Sequence, residues 1–464
     1  MKKHIHFVGI KGVAMTGLAI LAKEKGFRVT GSDVFEEFLT DSVLIRNGIT
    51  PIIGFSKDNL NDKPDLVITT GAHGGINNPE SKAAVDMGIR TIMQGTALGE
   101  FMNEKDGIAV CGCHGKTTTT AIISTILEFS GYKPSFVVGC ADIPSLDNPG
   151  RAGSGKYFIA EADEYITCPG VDFTPKFMWL NPKIIVMTNI DFDHPDAYKS
   201  IEEVKLAYLQ FAQKLNKDDI LVACIDDQNI AGILTKIKSK VLTYGQSPKA
   251  DYRPIEISFE EEVTYFSILN KEFNLGRFTL HIPGIHNVLN ATAAIVASLE
   301  AGVSLEKIQK SLIKFTGTKR RFEKLGEKNG IKVYDDYAHH PAEIEATLKG
   351  AKTWLPKSKI TVVFQPHTYS RTKSLKDKFS KCFSSAEEVI ITDIYSSKRE
   401  DPDPEISSKI LANLISKNHK NIKYIGNPQE VAEYLGKKLI SGDVVITMGA
   451  GDIYKIGSKI LDNI

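Results

Sequence analysis

Residues 110–118, Val-Cys-Gly-Cys-His-Gly-Lys-Thr-Thr, combine the residue types that bind nucleotide phosphates. Residues 107–111 form a short apolar run that leads into the glycine turn, and this run predicts a buried strand. The segment 117–128 has its apolar residues on one helical face, which predicts a helix directly after the turn. A glycine-bearing turn between a strand and a helix is typical of a phosphate-binding loop.

The chemistry of such a loop assigns a role to each residue type. Gly112 and Gly115 let backbone N–H groups turn towards an anion, and the N-terminus of the helix adds partial positive charge. Lys116 would then reach the outer phosphates, and the Thr117 hydroxyl would ligate Mg²⁺. The candidate cofactor-binding residues of the loop are Gly112, His114, Gly115, Lys116, Thr117 and Thr118.

The spacing of this loop departs from the usual pattern. Only two residues, Cys113 and His114, separate Gly112 from Gly115, where the common phosphate loop has about four. The alternative is therefore a plain glycine turn whose lysine is solvated. We expect Lys116 to lie on an exposed loop, so that its replacement would leave the fold intact.

Two later strands are predicted to end in groups that bind metals or phosphates. Residues 156–165 and 183–194 are both β-branched and apolar, and Glu161 and His194 lie at their ends. In an open parallel sheet, ligands bind beyond the carboxyl ends of the strands. Glu161 and His194 are thus expected beside Lys116 and Thr117 as metal ligands, although a strand-end acid also commonly caps the next helix.

The N-terminal segment predicts a first strand-to-helix turn of a nucleotide-binding unit. Gly9 and Gly12 lie in the turn, and Asp33 ends the next strand, about where a ribose hydroxyl would be met. Lys11 stands where a dinucleotide site needs its second glycine. A sugar nucleotide or another single nucleotide therefore fits better than NAD.

Paired amides occur on the Ala-rich helix predicted after Pro283-Gly284. Asn287 and Asn290 are three residues apart and share a helix face. They could read a base edge, or one of them could simply cap the helix N-terminus.

The C-terminal third again alternates strands with helices, which predicts a third parallel α/β sheet. It contains Arg320-Arg321 and the Asp- and His-rich run 334–341. This run suits either hydrogen bonding to a ribose and a carboxylate or a metal site, and we rank the metal second.

Composition sets the broad class. The chain has 464 residues, 42% of them hydrophobic and 24% charged, with a net charge of +1. This length predicts about three domains, and this charge gives no reason to expect a nucleic acid or a membrane as partner. Six scattered cysteines indicate free thiols. Without an apolar run of about 18 residues, a cytoplasmic location is expected.

Eight ordered motifs together resemble the Mur ligase family of peptidoglycan synthesis along essentially the whole chain. They are 9–17, 112–118, 161–164, 188–194, 286–291, 317–323, 335–341 and 364–371. The shortened phosphate loop is itself typical of this family.

The resemblance implies an α/β fold in three domains. They are a Rossmann-like domain at 1–106 that binds a UDP-sugar, a central P-loop ATPase-like parallel sheet at 107–318 that binds ATP, and a Rossmann-like domain at 319–464 that binds an amino acid.

Within the family, the chain is similar to the branch that joins L-alanine to UDP-N-acetylmuramate with ATP and Mg²⁺ through an acyl phosphate. The implied catalytic residues are Lys116, Glu161, His194, His339 and Arg371. Metal ligation falls to Thr117, Glu161 and His194. ATP would also meet Asn287, Asn290, Arg321 and Asp336, the last two after domain closure. Gly9, Gly12, Asp33, Tyr337, His339 and Arg371 would bind the other substrates.

Alternatives remain at this point. A related branch attaches a murein tripeptide to the same sugar nucleotide, and the pair Glu164-Tyr165 leans that way, while Thr368 stands where some members carry a second arginine. An NAD-dependent dehydrogenase and a non-catalytic nucleotide switch are more distant hypotheses. Cys113 replaces the threonine usual in the family's loop. The oligomeric state is expected to be a monomer or a homodimer.

Overall fold

A computed structural model describes residues 2–194, 196–260, 262–396 and 400–464. Its first sheet is parallel, in the order β3-β2-β1-β4-β5. Buried apolar side chains such as Val8 and Val67 pack under its helices. The elements are β1 His4–Val8, α1 Val13–Glu24, β2 Arg28–Asp33, α2 Leu39–Arg46, β3 Ile52–Ile53, β4 Leu66–Thr69, α3 Pro79–Asp86, β5 Arg90–Met93 and α4 Gln94–Met102.

The second sheet has ten strands in the order β17-β16-β15-β14-β13-β12-β6-β9-β7-β8. Its centre is parallel, as predicted, because β6 pairs in parallel with both β9 and β12. The elements are β6 Asp106–Cys111, α5 Lys116–Phe129, β7 Ser135–Val137, β8 Gly150–Arg151, β9 Tyr157–Glu161, β10 Ile166–Cys168, β11 Asp172–Pro175, β12 Ile184–Met187, α6 Ile201–Ala212, β13 Ile220–Cys224, α7 Gln228–Leu234, β14 Lys240–Tyr244, β15 Tyr252–Glu260, β16 Val263–Asn270, β17 Phe273–Leu280, α8 Ile285–Glu300 and α9 Leu305–Leu312. Strands β10 and β11 form a separate antiparallel hairpin.

The third sheet has the order β18-β19-β23-β20-β21-β22. It is parallel except for β18, which pairs antiparallel with β19. Helices on both faces bury two apolar clusters, one around Phe364 and one around Val445. The elements are β18 Glu323–Lys328, β19 Ile331–Asp336, α10 Pro341–Trp354, β20 Ile360–Phe364, α11 Tyr369–Ser374, α12 Lys376–Phe379, β21 Glu388–Ile391, α13 Ser408–Ile415, β22 Ile422–Tyr424, α14 Pro428–Gly436, β23 Val444–Met448 and α15 Lys455–Asn463.

The chain forms two compact units. One contains 1–257, 266–280 and 288–318, and the other contains 258–265, 281–287 and 319–464. The first unit thus holds the first sheet and most of the second, and the other holds the third sheet. These sheets with their helices confirm the predicted α/β class. Among the described residues, no helix is long and apolar enough to span a membrane.

Within the first unit, helix α1 packs closely on β7 and β8. A Cβ added to Gly17 would lie 3.0 Å from the Pro149 carbonyl oxygen and 3.2 Å from Val137 Cγ1. A Cβ on Gly150 would lie 2.0 Å from the Gly17 carbonyl oxygen. Larger side chains would separate these backbones, so the two glycines fix how the first sheet's helix sits on the second sheet.

Candidate functional site

The sheet register gathers the predicted site residues at one edge. Glu161 pairs with Val110 and Met187 with Cys111, so β9 and β12 end on either side of the turn that begins at Gly112. Glu161 is the last residue of its strand, as predicted. His194 is not at a strand end, because β12 stops at Met187 and the irregular segment 188–193 separates the strand from the histidine.

The phosphate loop requires glycine at both predicted positions. Gly112 has φ 137° and Gly115 has φ 82°, in the region that favours glycine. A Cβ on Gly112 would lie 1.9 Å from Thr188 Oγ1, and a Cβ on Gly115 would lie 2.5 Å from Asn290 Oδ1. The Asn290 amide therefore lies directly beside the loop, where the sequence expected an ATP contact.

Thr188 and Asn189 hold the middle of the loop. The His114 carbonyl oxygen accepts hydrogen bonds from Thr188 Oγ1 at 2.6 Å and Asn189 Nδ2 at 2.8 Å. The His114 backbone N–H donates to Asn189 Oδ1 at 2.8 Å. The backbone of His114 is thus bonded to the segment after β12. Sequence reasoning quoted these two residues as part of a motif and gave them no role.

Lys116 is not on an exposed loop, so this expectation is wrong. It is the first residue of α5, and its side chain is only 15% exposed. The ammonium donates to the Gly112 carbonyl oxygen at 2.5 Å and to Glu164 Oε2 at 2.9 Å. Thr117 and Thr118 follow in the same helical turn and are buried.

Glu164 is the residue of this edge that sequence reasoning missed. Its side chain is 1% exposed, and its carboxylate is paired with Lys116. Burial alone would lower the pKa of Lys116, but the Glu164 and Asp163 carboxylates outweigh it and raise that pKa. The available clue was a second glutamate three residues after Glu161, in the motif Glu-Ala-Asp-Glu.

His194 reaches the same cluster from the other side. Its Nε2 lies 3.7 Å from Glu164 Oε1, and its ring lies 4.9 Å from the Tyr165 ring. The Tyr198 hydroxyl donates to the Glu164 carbonyl oxygen at 2.6 Å. His194, Glu164 and Lys116 therefore form a continuous row of polar contacts.

Glu161 is held against Gly139, which follows the neighbouring strand β7 by two residues. The Gly139 backbone N–H donates to Glu161 Oε1 at 2.6 Å. A Cβ on Gly139 would lie 3.0 Å from Glu161 Oε2, so the absence of a side chain lets the carboxylate lie along this backbone. The hydrogen bond fixes the direction of a carboxylate at the predicted metal position.

Cys113 faces the protein interior. Its thiol donates to the Asp191 carbonyl oxygen at 3.0 Å and accepts from the Asp191 N–H at 3.1 Å. Burial raises the pKa of this thiol well above its ordinary value. Cys113 thus fastens the loop to the segment that carries His194. All six cysteines are buried free thiols, as the sequence predicted.

The N-terminal turn has a different arrangement from a dinucleotide site. The buried Asp33 carboxylate accepts hydrogen bonds from the N–H groups of Lys11 at 2.7 Å and Val34 at 2.8 Å. The Lys11 ammonium donates to the Glu36 carbonyl oxygen at 3.0 Å. Gly9 has φ 84° and Gly12 is the N-cap of α1. Asp33 is therefore bound to the backbone of the turn where the sequence expected a ribose contact.

In the other unit, Tyr337 lies between two arginines. The guanidinium carbons of Arg320 and Arg321 are 5.1 and 5.3 Å from its ring centroid. Arg320 anchors this part of the unit, because it donates to Asp335 at 2.9 Å and to the carbonyl oxygens of Gly449 and Gly451. The sequence alone did not predict this role. Only these tertiary partners distinguish the anchor from its neighbour Arg321.

Asp336 accepts hydrogen bonds from the N–H groups of Phe322 at 2.7 Å and Ala338 at 2.8 Å. Burial raises the pKa of this carboxyl to about 6. Asp336 therefore braces the strained turn before β18, where Phe322 has φ 49°. The contact of Asp336 with the ATP ribose, which the family resemblance implies, stays a prediction.

His339 and Arg371 are brought towards each other by His367. The His339 and His367 rings lie 6.2 Å apart, and Arg371 Nη1 lies 3.4 Å from His367 Nδ1. His339 Nδ1 also lies 3.4 Å from Glu343 Oε2. These side chains and Tyr337 belong to one cluster, and His367 is a further member that the sequence left without a role.

Asn287 does not cap α8. It is the third residue of the helix, and its Nδ2 donates to the Pro283 carbonyl oxygen at 2.7 Å. The capping alternative is therefore wrong for this residue.

Three protein-family models match the chain. The "Mur ligase family, catalytic domain" model matches residues 4–106, the "Mur ligase middle domain" model 110–298, and the "Mur ligase, glutamate ligase domain" model 320–451. The chain is 42% identical over 462 residues to a UDP-N-acetylmuramate–L-alanine ligase of Desulfitobacterium hafniense, covering 99% of this chain and 100% of that protein. It is 43% identical to that of Acetivibrio thermocellus, covering 99% and 96%.

Two solved structures are similar to nearly the whole chain. The UDP-N-acetylmuramate–alanine ligase of Thermotoga maritima superposes with a TM-score of 0.82 at 26% identity, covering 99% of this chain and 98% of that one. A murein peptide ligase of Psychrobacter arcticus gives a TM-score of 0.72 at 24% identity, covering 99% and 98%. The second likeness extends to the fold alone.

Proposed function

Because the chain belongs to the Mur ligase family, we propose that it joins L-alanine to the lactyl carboxylate of UDP-N-acetylmuramate at the expense of ATP. The observation that carries this function is full-length identity above 40% to ligases of that name. The phosphate loop of the first unit supplies the matching ATP chemistry. This combination supports a ligase over a dehydrogenase or a nucleotide switch.

The domain limits that we propose are 1–106, 107–318 and 319–464. The first boundary falls where the strand β6 begins the second sheet. The second boundary is supported by the change of compact unit between Thr318 and Lys319. We also propose that the protein is cytoplasmic and that it is a monomer or a homodimer. Sedimentation of the purified protein would test the oligomeric state.

The reaction proceeds in two balanced steps. A carboxylate oxygen of the sugar nucleotide attacks the γ-phosphorus of ATP and forms an acyl phosphate. The bond from the γ-phosphorus to the bridging oxygen of the β-phosphate breaks, and ADP departs. The amine of L-alanine then attacks the acyl carbon, phosphate departs, and the nitrogen loses a proton to form the amide. Lys116 neutralises charge on the phosphates in the first step, because positioned cations stabilise the charge that develops during transfer.

ATP binding must compete with the present partners of Lys116. The ammonium is held by Glu164 and by the Gly112 carbonyl oxygen. Because Glu164 is anchored to Tyr198 through its backbone, the lysine can turn towards a phosphate while its countercharge stays in place. The loop is therefore arranged for the lysine to move a short distance.

The donor set at this edge fits Mg²⁺. Glu161 offers a carboxylate and Thr117 a hydroxyl, which are hard oxygen ligands. His194 adds a nitrogen from the irregular segment that follows β12. A Mg²⁺ ion bound there would screen the phosphate charge from the incoming carboxylate. We propose these three residues as the metal ligands.

The variant His194→Ala is expected to raise the Mg²⁺ concentration for half-maximal rate about tenfold, because one ligand of the proposed set is lost. Steady-state ADP release measured across a Mg²⁺ series gives this value. His419→Ala is the control, since His419 Nε2 is bonded to the Ala386 carbonyl oxygen in the other unit. Lost activity with an unchanged Mg²⁺ dependence would assign His194 another role.

The amine donor is tested with a substrate panel. Arg371 beside His367 and His339 offers one guanidinium to a small α-carboxylate. ADP release with ATP and UDP-N-acetylmuramate is measured for L-alanine, glycine, L-serine and the L-Ala-γ-D-Glu-diamino-acid tripeptide.

L-alanine is expected to have the highest kcat/KM of this panel. Glycine and L-serine are expected to be slow substrates, since a pocket discriminates one methylene by only about 1–3 kcal/mol. A tripeptide kcat/KM above that of L-alanine would favour the murein tripeptide ligase instead. Nucleotide hydrolysis without any dependence on the sugar nucleotide would contradict the ligase function itself.

A further inference from the structure

A histidine lies beside the turn that begins helix α1. A Cβ added to Gly9 would lie 3.9 Å from His73 Cδ2. His73 Nε2 lies 3.7 Å from Asp33 Oδ1, and the side chain is 36% exposed. The imidazole thus places a nitrogen donor next to the glycine turn while one part of the ring faces solvent.

The backbone around His73 is held in place. His73 has φ 54°, and its carbonyl oxygen accepts a hydrogen bond from Asn78 Nδ2 at 3.1 Å. Asn78 is in turn the N-cap of α3, where its Oδ1 accepts the Glu80 N–H at 2.9 Å. The unusual backbone conformation therefore has a specific support and is built into the start of α3.

The β10–β11 hairpin closes the other side of this loop. A Cβ on Gly71 would lie 2.8 Å from the Thr167 carbonyl oxygen. A Cβ on Gly75 would lie 2.3 Å from Cys168 Sγ. Both glycines permit close packing on the hairpin, so the segment between them cannot shift outward without losing this contact.

The ring of His73 is oriented by two neighbours. Its centroid lies 5.4 Å from that of Phe55, with the rings tilted by 42°. Asp33, the last residue of β2, is itself fixed by two hydrogen bonds from backbone N–H groups. The aromatic contact and the carboxylate together direct the imidazole towards the turn.

Lys11 is the cation that the sequence places in this turn, but its charge points elsewhere. The residue is 3% exposed, and its ammonium lies 3.2 Å from Asp41 Oδ1 and 3.0 Å from the Glu36 carbonyl oxygen. The N–H groups of Gly9 and Ile10 already donate to the Ser32 carbonyl oxygen. An anion at the start of α1 would therefore meet the N–H groups of the first helical turn and the His73 imidazole before it met this ammonium.

We propose that His73 contacts the diphosphate of the UDP-sugar substrate. The inference rests on the proposed function, which supplies a sugar nucleotide for the first sheet. The first turn of α1 contains no acidic residue, and Gly12 makes no side-chain cap. A diphosphate oxygen can thus accept from the N–H groups of the first turn of α1 and from His73 together.

The test compares His73→Asn with Lys63→Asn by calorimetric titration. Asparagine tolerates the left-handed backbone at both positions, where φ is 54° and 48°. Lys63 is an exposed residue of the same sheet region, so the control removes a cationic group with the same replacement. The probes are UDP-N-acetylmuramate, UDP and uridine, with KM for ATP as a second measurement.

His73→Asn is expected to raise the Kd of UDP-N-acetylmuramate and of UDP about tenfold, a loss of about 1.4 kcal/mol. The Kd of uridine and the KM for ATP are expected to stay within about twofold, and Lys63→Asn is expected to change none of these values. An unchanged Kd of UDP in His73→Asn, or an equal loss for uridine, would overturn the diphosphate contact. Wild-type protein that binds neither UDP nor UDP-N-acetylmuramate would instead contradict the proposed function.

Discussion

Lys116→Met is expected to lower kcat at least about 100-fold, equivalent to about 2.7 kcal/mol of transition-state stabilisation. Lys116 begins α5 at the end of the phosphate loop, and its ammonium donates to the Gly112 carbonyl oxygen and to the Glu164 carboxylate. Methionine keeps the length of the side chain and removes the charge that neutralises the phosphates. ADP release in the presence of both other substrates measures the loss.

The same variant is also expected to be less stable. Removing one partner of a buried ion pair leaves the other charge uncompensated, which lowers the free energy of unfolding by about 3–5 kcal/mol. The double variant Lys116→Met/Glu164→Gln should therefore recover much of the lost Tm and none of the lost activity. This result separates the catalytic role of the ammonium from its structural pairing.

Lys105→Met is the matched control for Lys116. Lys105 is a half-buried lysine that donates to the carbonyl oxygens of Gly153 and Gly155 at 2.5 and 2.6 Å. The variant Lys105→Met is expected to have a lower Tm than the wild type and a kcat within about twofold of the wild-type value. More than about a tenth of wild-type kcat in Lys116→Met, with substrates saturating, would contradict the phosphate-binding assignment.

Glu161→Gln is expected to lower kcat about 100-fold and to raise the Mg²⁺ concentration for half-maximal rate. Glutamine has nearly the same shape but carries no negative charge, so the proposed metal site loses its anionic ligand. It also keeps an oxygen that can accept the Gly139 N–H. The local structure should therefore be preserved, and the Kd of UDP-N-acetylmuramate is expected to stay unchanged.

Glu128→Gln is the corresponding control for Glu161. Glu128 Oε1 lies 2.8 Å from Arg151 Nη1, in a half-buried ion pair at the far end of α5. Its kcat and Mg²⁺ dependence are expected to match the wild type. If Glu161→Gln kept a kcat within about threefold of the wild type, the carboxylate would have no metal role.

The sequence by itself predicted the elements and the phosphate loop, because their causes are local. The apolar period before and after the loop gave β6 and α5, and the glycines of the turn occupy the left-handed region that they alone adopt easily. Parallel pairing then placed Glu161 beside the loop, since the carboxyl ends of neighbouring strands meet at one edge. Spacing along the chain was sufficient for these conclusions.

Tertiary structure alone decided which charges pair and which donors face a ligand. Lys116 forms its ion pair with Glu164, 48 residues away, and the backbone N–H of Lys11 donates to the Asp33 carboxylate, 22 residues away. His73 reaches Gly9 from a loop that Asn78 supports and the β10–β11 hairpin packs against. Such partners depend on burial and on the path of side chains in three dimensions, which no period or motif encodes. Lys116 was therefore expected to be exposed, and only the packed structure showed it neutralised by a buried acid.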